Sequence, residues 1–179
     1  MKKNSDSSLL ENIAEDKIAF ELQKHDLLVA KPKSDRKGTD LLVFAEMADG
    51  VKFCRIQSKG RSLEHSDRSS VQIQVDYVTD GFLCFLYLYY SENLDELYLF
   101  LPEDIRQWKE NKKGKYVLNF AKSNAREKLS SFLFDANKAQ LIKTQISLAE
   151  THGEFQKMIY GMLTSTRSIA KIKFDITTN

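Results

Sequence analysis

The chain has 179 residues, of which 42% are hydrophobic and 29% charged, and its formal net charge is +2. That composition describes one ordinary globular domain and excludes disorder, collagen and coiled coil as readings of the whole. The two cysteines, Cys54 and Cys84, both in apolar runs, exclude a disulfide scaffold and a four-cysteine zinc site; they read as free thiols in a reducing cytoplasm.

The opening MKKNSDSS has no apolar stretch behind its lysines and does not read as a secretory signal. The longest apolar run, Phe82 to Tyr90, is nine residues, too short to span a bilayer, so no membrane association is expected. A first helix is predicted from a Ser7 or Ser8 cap to about Lys24. Its buried face is Leu10, Ile13, Ala14, Ile18 and Leu22. Leu27 to Ala30 reads as a short strand stopped by Lys31-Pro32, and Ser34 to Gly38 as a loop. Thr39 to Glu46 and Val51 to Lys59 read as a hairpin about Ala48-Asp49-Gly50.

Gly60 to Ser70 is polar and is predicted irregular. Val71, Ile73, Val75 and Tyr77 alternate with polar residues, as in a half-buried strand. Phe82 to Tyr90 has no polar phase, which fits a central strand covered on both faces. Its aromatics, Phe85, Tyr87, Tyr89 and Tyr90, read as core before they read as a stacking platform. Glu96 to Leu101 is a further strand. Pro102 then suits the first position of a helix to about Trp108 or Lys109, with Glu103 and Asp104 at its positive end. Asn111 to Gly114 turns into a strand over Tyr116 to Phe120. Beyond Ser123 the pattern is mostly helical, with Gly153 as an interruption, Phe155, Ile159 and Leu163 on one face, and a closing strand over Ile169 to Ile176. The order predicts an α/β sandwich around a mixed sheet in a single domain over residues 1–179. Two local excesses of cations stand out: residues 31–37, and residues 102–128, which carry eight cations against four acids. A solvated face is the plain reading of each.

The hairpin gathers the residues that suggest chemistry. Gln57 and Lys59 are two apart on one strand and share a face. With a four-residue loop over Met47–Gly50, Asp40 lies opposite Gln57; with a two-residue turn at Asp49-Gly50, it lies opposite Lys59. Directly opposed residues share a face, so the three converge in either register, and only an odd loop or a bulge would part them. The plain reading is a strand-end salt bridge. The functional reading is metal-assisted hydrolysis. Asp40 supplies an anionic ligand, the Gln57 amide and the Ser58 carbonyl supply neutral oxygens, and Lys59 supplies a cation for the attacking water or the developing charge.

Gly38-Thr39-Asp40-Leu41-Leu42-Val43, followed by Arg55-Ile56-Gln57-Ser58-Lys59 with sixteen residues between Asp40 and Gln57, resembles the core of the PD-(D/E)xK nuclease superfamily. The group includes type II restriction enzymes and archaeal Holliday junction resolvases, and the later strands resemble an uncharacterised bacterial branch of it. The resemblance covers about residues 7–120 and implies a restriction endonuclease-like mixed sheet flanked by helices, with an α-β-β-β-α-β core. Residues 121–179 are then a mostly helical extension. It implies Asp40, Gln57, Lys59 and a first-helix acid as catalytic residues. Glu15 fits that last place, with Glu11 and Asp16 as competing assignments. Mg²⁺ or Mn²⁺ would be held by Asp40, Glu15, Gln57 and Ser58, and DNA would be the partner. Lys33, Arg36, Lys37, Arg55 and Arg61 lie near the motif and are candidate phosphate contacts. Many such nucleases act as homodimers, although this chain shows no oligomer signature. Thr39 stands where the family name has proline, and Gln57 where it has an acid. The second change removes one negative charge, so a non-catalytic module binding nucleic acid or protein on the same fold stands beside the endonuclease. His25, His65 and His152 lack metal-ligand spacing, Cys54 lies on the face opposite Gln57, and Lys59-Gly60-Arg61 is no phosphate loop.

Overall fold

A computed structural model describes residues 3–34, 37–47 and 50–148, within a compact unit of Met1–Ala149. The expectations for Gly153, the Phe155–Ile159–Leu163 face and the strand over 169–176 lie outside the described residues, as does the far end of the single domain expected over 1–179.

Helix α1 (Lys3–Gln23) starts earlier than its predicted serine cap. Ala14, Ile18 and Leu22 recur every four residues and are fully buried. Ile13, expected on that face, is instead 43% exposed. Asp26, at φ 60°, turns the chain out of the helix, and the Leu27 N–H returns to the Leu22 carbonyl at 3.2 Å. Three strands follow: β1 (Leu28–Ala30), β2 (Leu41–Met47) and β3 (Gly50–Ser62). β2 and β3 pair antiparallel with Glu46 opposite Val51 and Leu41 opposite Ile56. This is the register expected to carry Asp40 toward Gln57, but the pairing ends at Leu41 and the Asp40 N–H goes to the Ile56 carbonyl; Met47 also pairs with Gly50, so the expected four-residue loop is tighter. β3 runs three residues past Lys59, into the stretch predicted irregular. Its backbone there pairs with a later strand, which its polar side chains do not announce.

β4 (Arg68–Gln74) and a 3-10 turn (Val75–Tyr77) replace the single strand expected over Val71–Tyr77. β5 (Phe82–Ser91) pairs parallel to β3, with Gln57 beside Cys84 and Lys59 beside Leu86. The crossover between these parallel strands therefore holds a strand and a 3-10 turn where the expected core order has an α-helix. β6 (Leu94–Phe100) closes a five-stranded mixed sheet ordered β1-β2-β3-β5-β6. Helix α2 (Pro102–Arg106) begins at its proline as expected but ends early, giving way to β7 (Lys109–Asn111). β8 (Lys115–Ala121) joins β4 and β7 in a separate three-stranded sheet ordered β4-β8-β7. Helices α3 (Ala125–Leu129) and α4 (Ala136–Leu148) complete the described chain.

Two cores share the main sheet. On one face α1 and α4 cover Val43, Cys54, Ile56, Leu83 and Phe85. On the other, the second sheet with α2 and α3 covers Phe82, Cys84, Leu86 and Leu88. Alternate residues of β5 feed the two cores in turn, so its lack of a polar phase reflects burial on both sides. Tyr87 and Tyr90 are buried core residues, as expected. No described helix is long and apolar enough to cross a membrane.

Candidate active site

β2 stops pairing at Leu41, whereas β3 continues to Ser62 with β5 on one side only. Among the described residues, the other edge of β3 is thus open beyond Ile56. Backbone groups alternate along a strand, so Ile56 and Ser58 turn the same way. Ile56 turns toward β2, since its carbonyl accepts the Asp40 N–H at 2.9 Å. Ser58 therefore presents its N–H and C=O to the open edge. The Asp40 carboxylate folds over that edge, and its Oδ2 accepts the Ser58 N–H at 2.7 Å. That leaves the Ser58 carbonyl facing the notch beside Asp40.

The side chains of Arg55, Gln57, Lys59 and Arg61 emerge on the face covered by the second sheet. Gln57 is only 6% exposed, and its Oε1 is a buried acceptor with no hydrogen-bond partner among the described residues. Its Nε2 faces Gly38, where an added Cβ would come within 2.5 Å of the amide and 2.6 Å of the Tyr77 ring. Lys59 is half-buried, and its ammonium has no hydrogen-bond or ion-pair partner among the described residues. Both Asp40 and Lys59 act electrostatically on Cys84, whose thiol burial pushes up to about 12.

Glu15 approaches from α1, on the other layer. Gly60 sets this approach, since the Leu10 carbonyl oxygen lies 2.8 Å from where a Cβ on Gly60 would sit. Lys31 Nζ lies 2.5 Å from Glu15 Oε2. The Lys31 ammonium is held above the ordinary lysine range, foremost by that contact and further by the charges of Asp16 and Asp40. Glu15, Asp16 and Asp40 thus share one electrostatic neighbourhood at the open end of β1 and β2. Glu11 lies farther along the helix and acts on Arg61.

The basic residues divide. Lys33 and Lys37 are exposed, and Arg36 lies outside the described residues. Arg55 is 7% exposed; its guanidinium donates to Thr79 Oγ1 at 2.7 Å and the Tyr77 carbonyl at 3.3 Å, above the Phe82 ring. Arg61 donates to the Ser70 carbonyl at 2.9 Å and the Gly60 carbonyl at 2.6 Å, and burial lowers its pKa. Both arginines, read from sequence as phosphate contacts, are engaged within the protein. Sequence reasoning gave no site role to Lys31, read as a strand stop within the 31–37 cation cluster, to Gly38, quoted only as part of the motif, or to Tyr77, and nothing local shows that Tyr77 returns to Gly38.

Among the described residues no group of three or more His, Cys, Asp or Glu gathers as a metal cluster. The candidate donors are oxygens of mixed kind: the Asp40 carboxylate over Ser58, the Ser58 carbonyl, the amide of neighbouring Gln57, and the Glu15 carboxylate, which with Asp40 acts on Lys31. An all-oxygen set suits a hard divalent cation.

No family model and no curated protein matches the chain. Its fold does match solved structures. A bacterial homing endonuclease, I-Ssp6803I, aligns with TM-score 0.52 and 16% identity over 81% of this chain and 97% of that one. Hjc, a Holliday junction resolvase from Archaeoglobus fulgidus, aligns with TM-score 0.44 and 12% identity over 73% of this chain and 95% of that one. The mixed five-stranded sheet flanked by helices is a nuclease-like fold.

Proposed function

We propose that this chain is a divalent-metal-dependent endonuclease that hydrolyses phosphodiester bonds in DNA. The observation that carries the reading is the Asp40 carboxylate held over the Ser58 N–H at 2.7 Å, where β3 pairs with no second strand among the described residues, with Gln57 and Lys59 flanking Ser58 in the chain. The buried Gln57 Oε1 has no hydrogen-bond partner among the described residues, a cost of about 1–3 kcal/mol that a bound cation or water would offset. The homing endonuclease that shares the fold supports the class of reaction at the level of fold alone.

Asp40, Gln57 and the Ser58 carbonyl would hold Mg²⁺ or Mn²⁺, with Glu15 completing the set. A cation bound there supplies polarisation of the phosphoryl oxygen and a lowered pKa for water. Asp40 is anchored beside the notch by the Ser58 N–H. Lys59 donates to the attacking water and offsets the negative charge that grows on the non-bridging oxygens. The water oxygen bonds to phosphorus, one bridging P–O bond breaks, and the departing oxygen takes up a proton as the water's proton leaves to solvent. Lys33 and Lys37, with Arg36, would meet flanking phosphates.

Nicking of supercoiled plasmid with Mg²⁺ or Mn²⁺ tests the reading. Asp40→Ala and Lys59→Ala should each lower the rate by about 100-fold or more. Activity that survives both substitutions overturns the assignment. A wild-type protein that cuts no form of DNA with either metal leaves a non-catalytic module on the same fold.

A further inference from the structure

The second sheet has a face that the hydrolytic site does not use. Val71, Ile73, Leu118 and Phe120 turn inward to the core, with Tyr116 beside them. The intervening positions turn outward: the register sets Gln72 and Lys109 against Val117, Gln74 and Asn111 against Lys115, and Ser70 against Asn119. Arg68 opens the row beside Ala121. The outward positions thus carry Arg68, Gln72, Gln74, Lys109, Lys115 and Asn119, and none of them is acidic. Glu110 sits opposite Tyr116 and belongs to the other face. Lys112 and Lys113, both exposed, extend the charge into the β7–β8 turn.

Among the described residues none of these six side chains is taken up by an internal hydrogen bond or ion pair. Arg68, Gln72, Lys109 and Asn119 are exposed outright. The outward apolar residues are small, Val117 and Ala121, so the face lacks the large anchors of a protein interface. It also lacks the apolar wedge of a membrane-surface element. Cations interleaved with amides, without acids, complement a polyanion whose edges carry donors and acceptors. Arginine and lysine suit guanine edges, glutamine and asparagine suit adenine edges, and the major groove admits an antiparallel ribbon. β8, with seven residues at about 3.3 Å each, spans about 23 Å, or roughly seven base-pair steps of about 3.4 Å.

The face also lies next to the proposed site. β4 is an edge strand of its sheet, and the Arg61 guanidinium joins the Ser70 carbonyl on β4 to the Gly60 carbonyl on β3, two residues beyond Ser58. An open cleft of about 580 Å³, lined by Arg68, Ser70, Asn119 and Asn124 among others, sits at that end of the sheet. We infer that the outward face of the β4-β8-β7 sheet is a duplex-DNA docking surface: its lysines and arginine neutralise phosphates, and Gln72, Gln74 and Asn119 read base edges. The inference rests on the reading of the notch as a DNA-hydrolysing site and names where its substrate lies.

Binding of fluorescent random-sequence duplex by the full chain, across a salt series in EDTA, tests the face apart from hydrolysis. Lys109→Ala/Lys115→Ala should weaken binding roughly 10- to 100-fold at about 0.1 M salt and flatten the log–log salt slope by about 2. Gln72→Ala/Gln74→Ala should keep that slope and change the sequences enriched from a randomised duplex pool. All four positions lie on the sheet surface, and unchanged melting temperatures will show that the fold is kept. The inference is overturned if the wild type binds no duplex or binds one without salt dependence. It is overturned equally if the double-lysine variant matches wild type in affinity and slope, or if the glutamine variant enriches the same sequences. Plasmid nicking by the same preparations separates the two readings. Salt-dependent binding without nicking removes the hydrolase and keeps the face, and nicking that ignores the lysine variant removes the face and keeps the hydrolase.

Discussion

Gly38 and Gly114 share a backbone conformation, φ +66° and +65°, but not a neighbourhood. A Cβ at Gly114 meets nothing within 4 Å among the described residues, whereas one at Gly38 meets the Gln57 amide and the Tyr77 ring below 3 Å. Gly114→Ala therefore isolates the left-handed backbone penalty, about 1–2 kcal/mol. Gly38→Ala adds displacement of Gln57. Gly114→Ala should lower Tm by roughly 2–8 °C, and Gly38→Ala by more. If the notch binds metal, Mn²⁺ should raise the wild-type and Gly114→Ala melting temperatures by mass action and raise that of Gly38→Ala less. Equal melting temperatures for the two variants would show that the Gly38 loop does not hold Gln57 in place. Of the candidate site's residues, the sequence nominates Asp40, Gln57 and Lys59, because period-two alternation puts them on one face in either even register. The job of Arg55 was not, because its partners Thr79 and Tyr77 come from a turn more than twenty positions away.

At the scale of elements, the contact between α1 and β3 sets how near Glu15 stands to Asp40. Gly60 is the close point, with the Leu10 carbonyl carbon 3.1 Å and its oxygen 2.8 Å from where an alanine methyl would sit. Gly60→Ala must lift the helix or bend the strand, because the obstacle is backbone and cannot swing aside. Overpacking of this kind costs about 1–3 kcal/mol. The variant should melt several degrees lower and, while still folded at 25 °C, nick plasmid more slowly than its folded fraction predicts, since Glu15 moves with the helix. Nicking that tracks the folded fraction alone would separate helix placement from the chemistry. The hairpin, β5 and the proline-led start of α2 were legible because each is written locally, in alternation, an unbroken apolar run or a breaker. The second sheet was not. Val71 and Ile73 signal a strand, but their partners Leu118 and Tyr116 lie more than forty residues on, and single-chain periodicity carries no information about pairing at that distance.

Across the whole molecule, both cores are built on opposite faces of one sheet, so neither layer can leave without exposing apolar residues of β5. The two cysteines report on this arrangement, Cys54 from the core under α1 and α4 and Cys84 from the core under the second sheet. Burial pushes both thiols up to about 12, and neither is exposed at all. Native protein at pH 8 should therefore react with a thiol reagent only through opening of the fold. Both cysteines, resolved by peptide mapping, should label at one rate with one denaturant dependence. Much faster labelling of Cys84 than of Cys54 would mean that the second sheet detaches alone and that the two cores are independent. The same burial sets an alkaline limit. The folded chain holds these protons more tightly than the unfolded chain, so the contribution is complete below the ordinary thiol pKa near 9.0 and declines as pH rises from there through about 12. Cys54→Ala/Cys84→Ala should lower Tm at pH 7 through lost packing yet flatten the fall in Tm between pH 9 and pH 11. An alkaline slope unchanged by the double substitution would assign the limit to other groups.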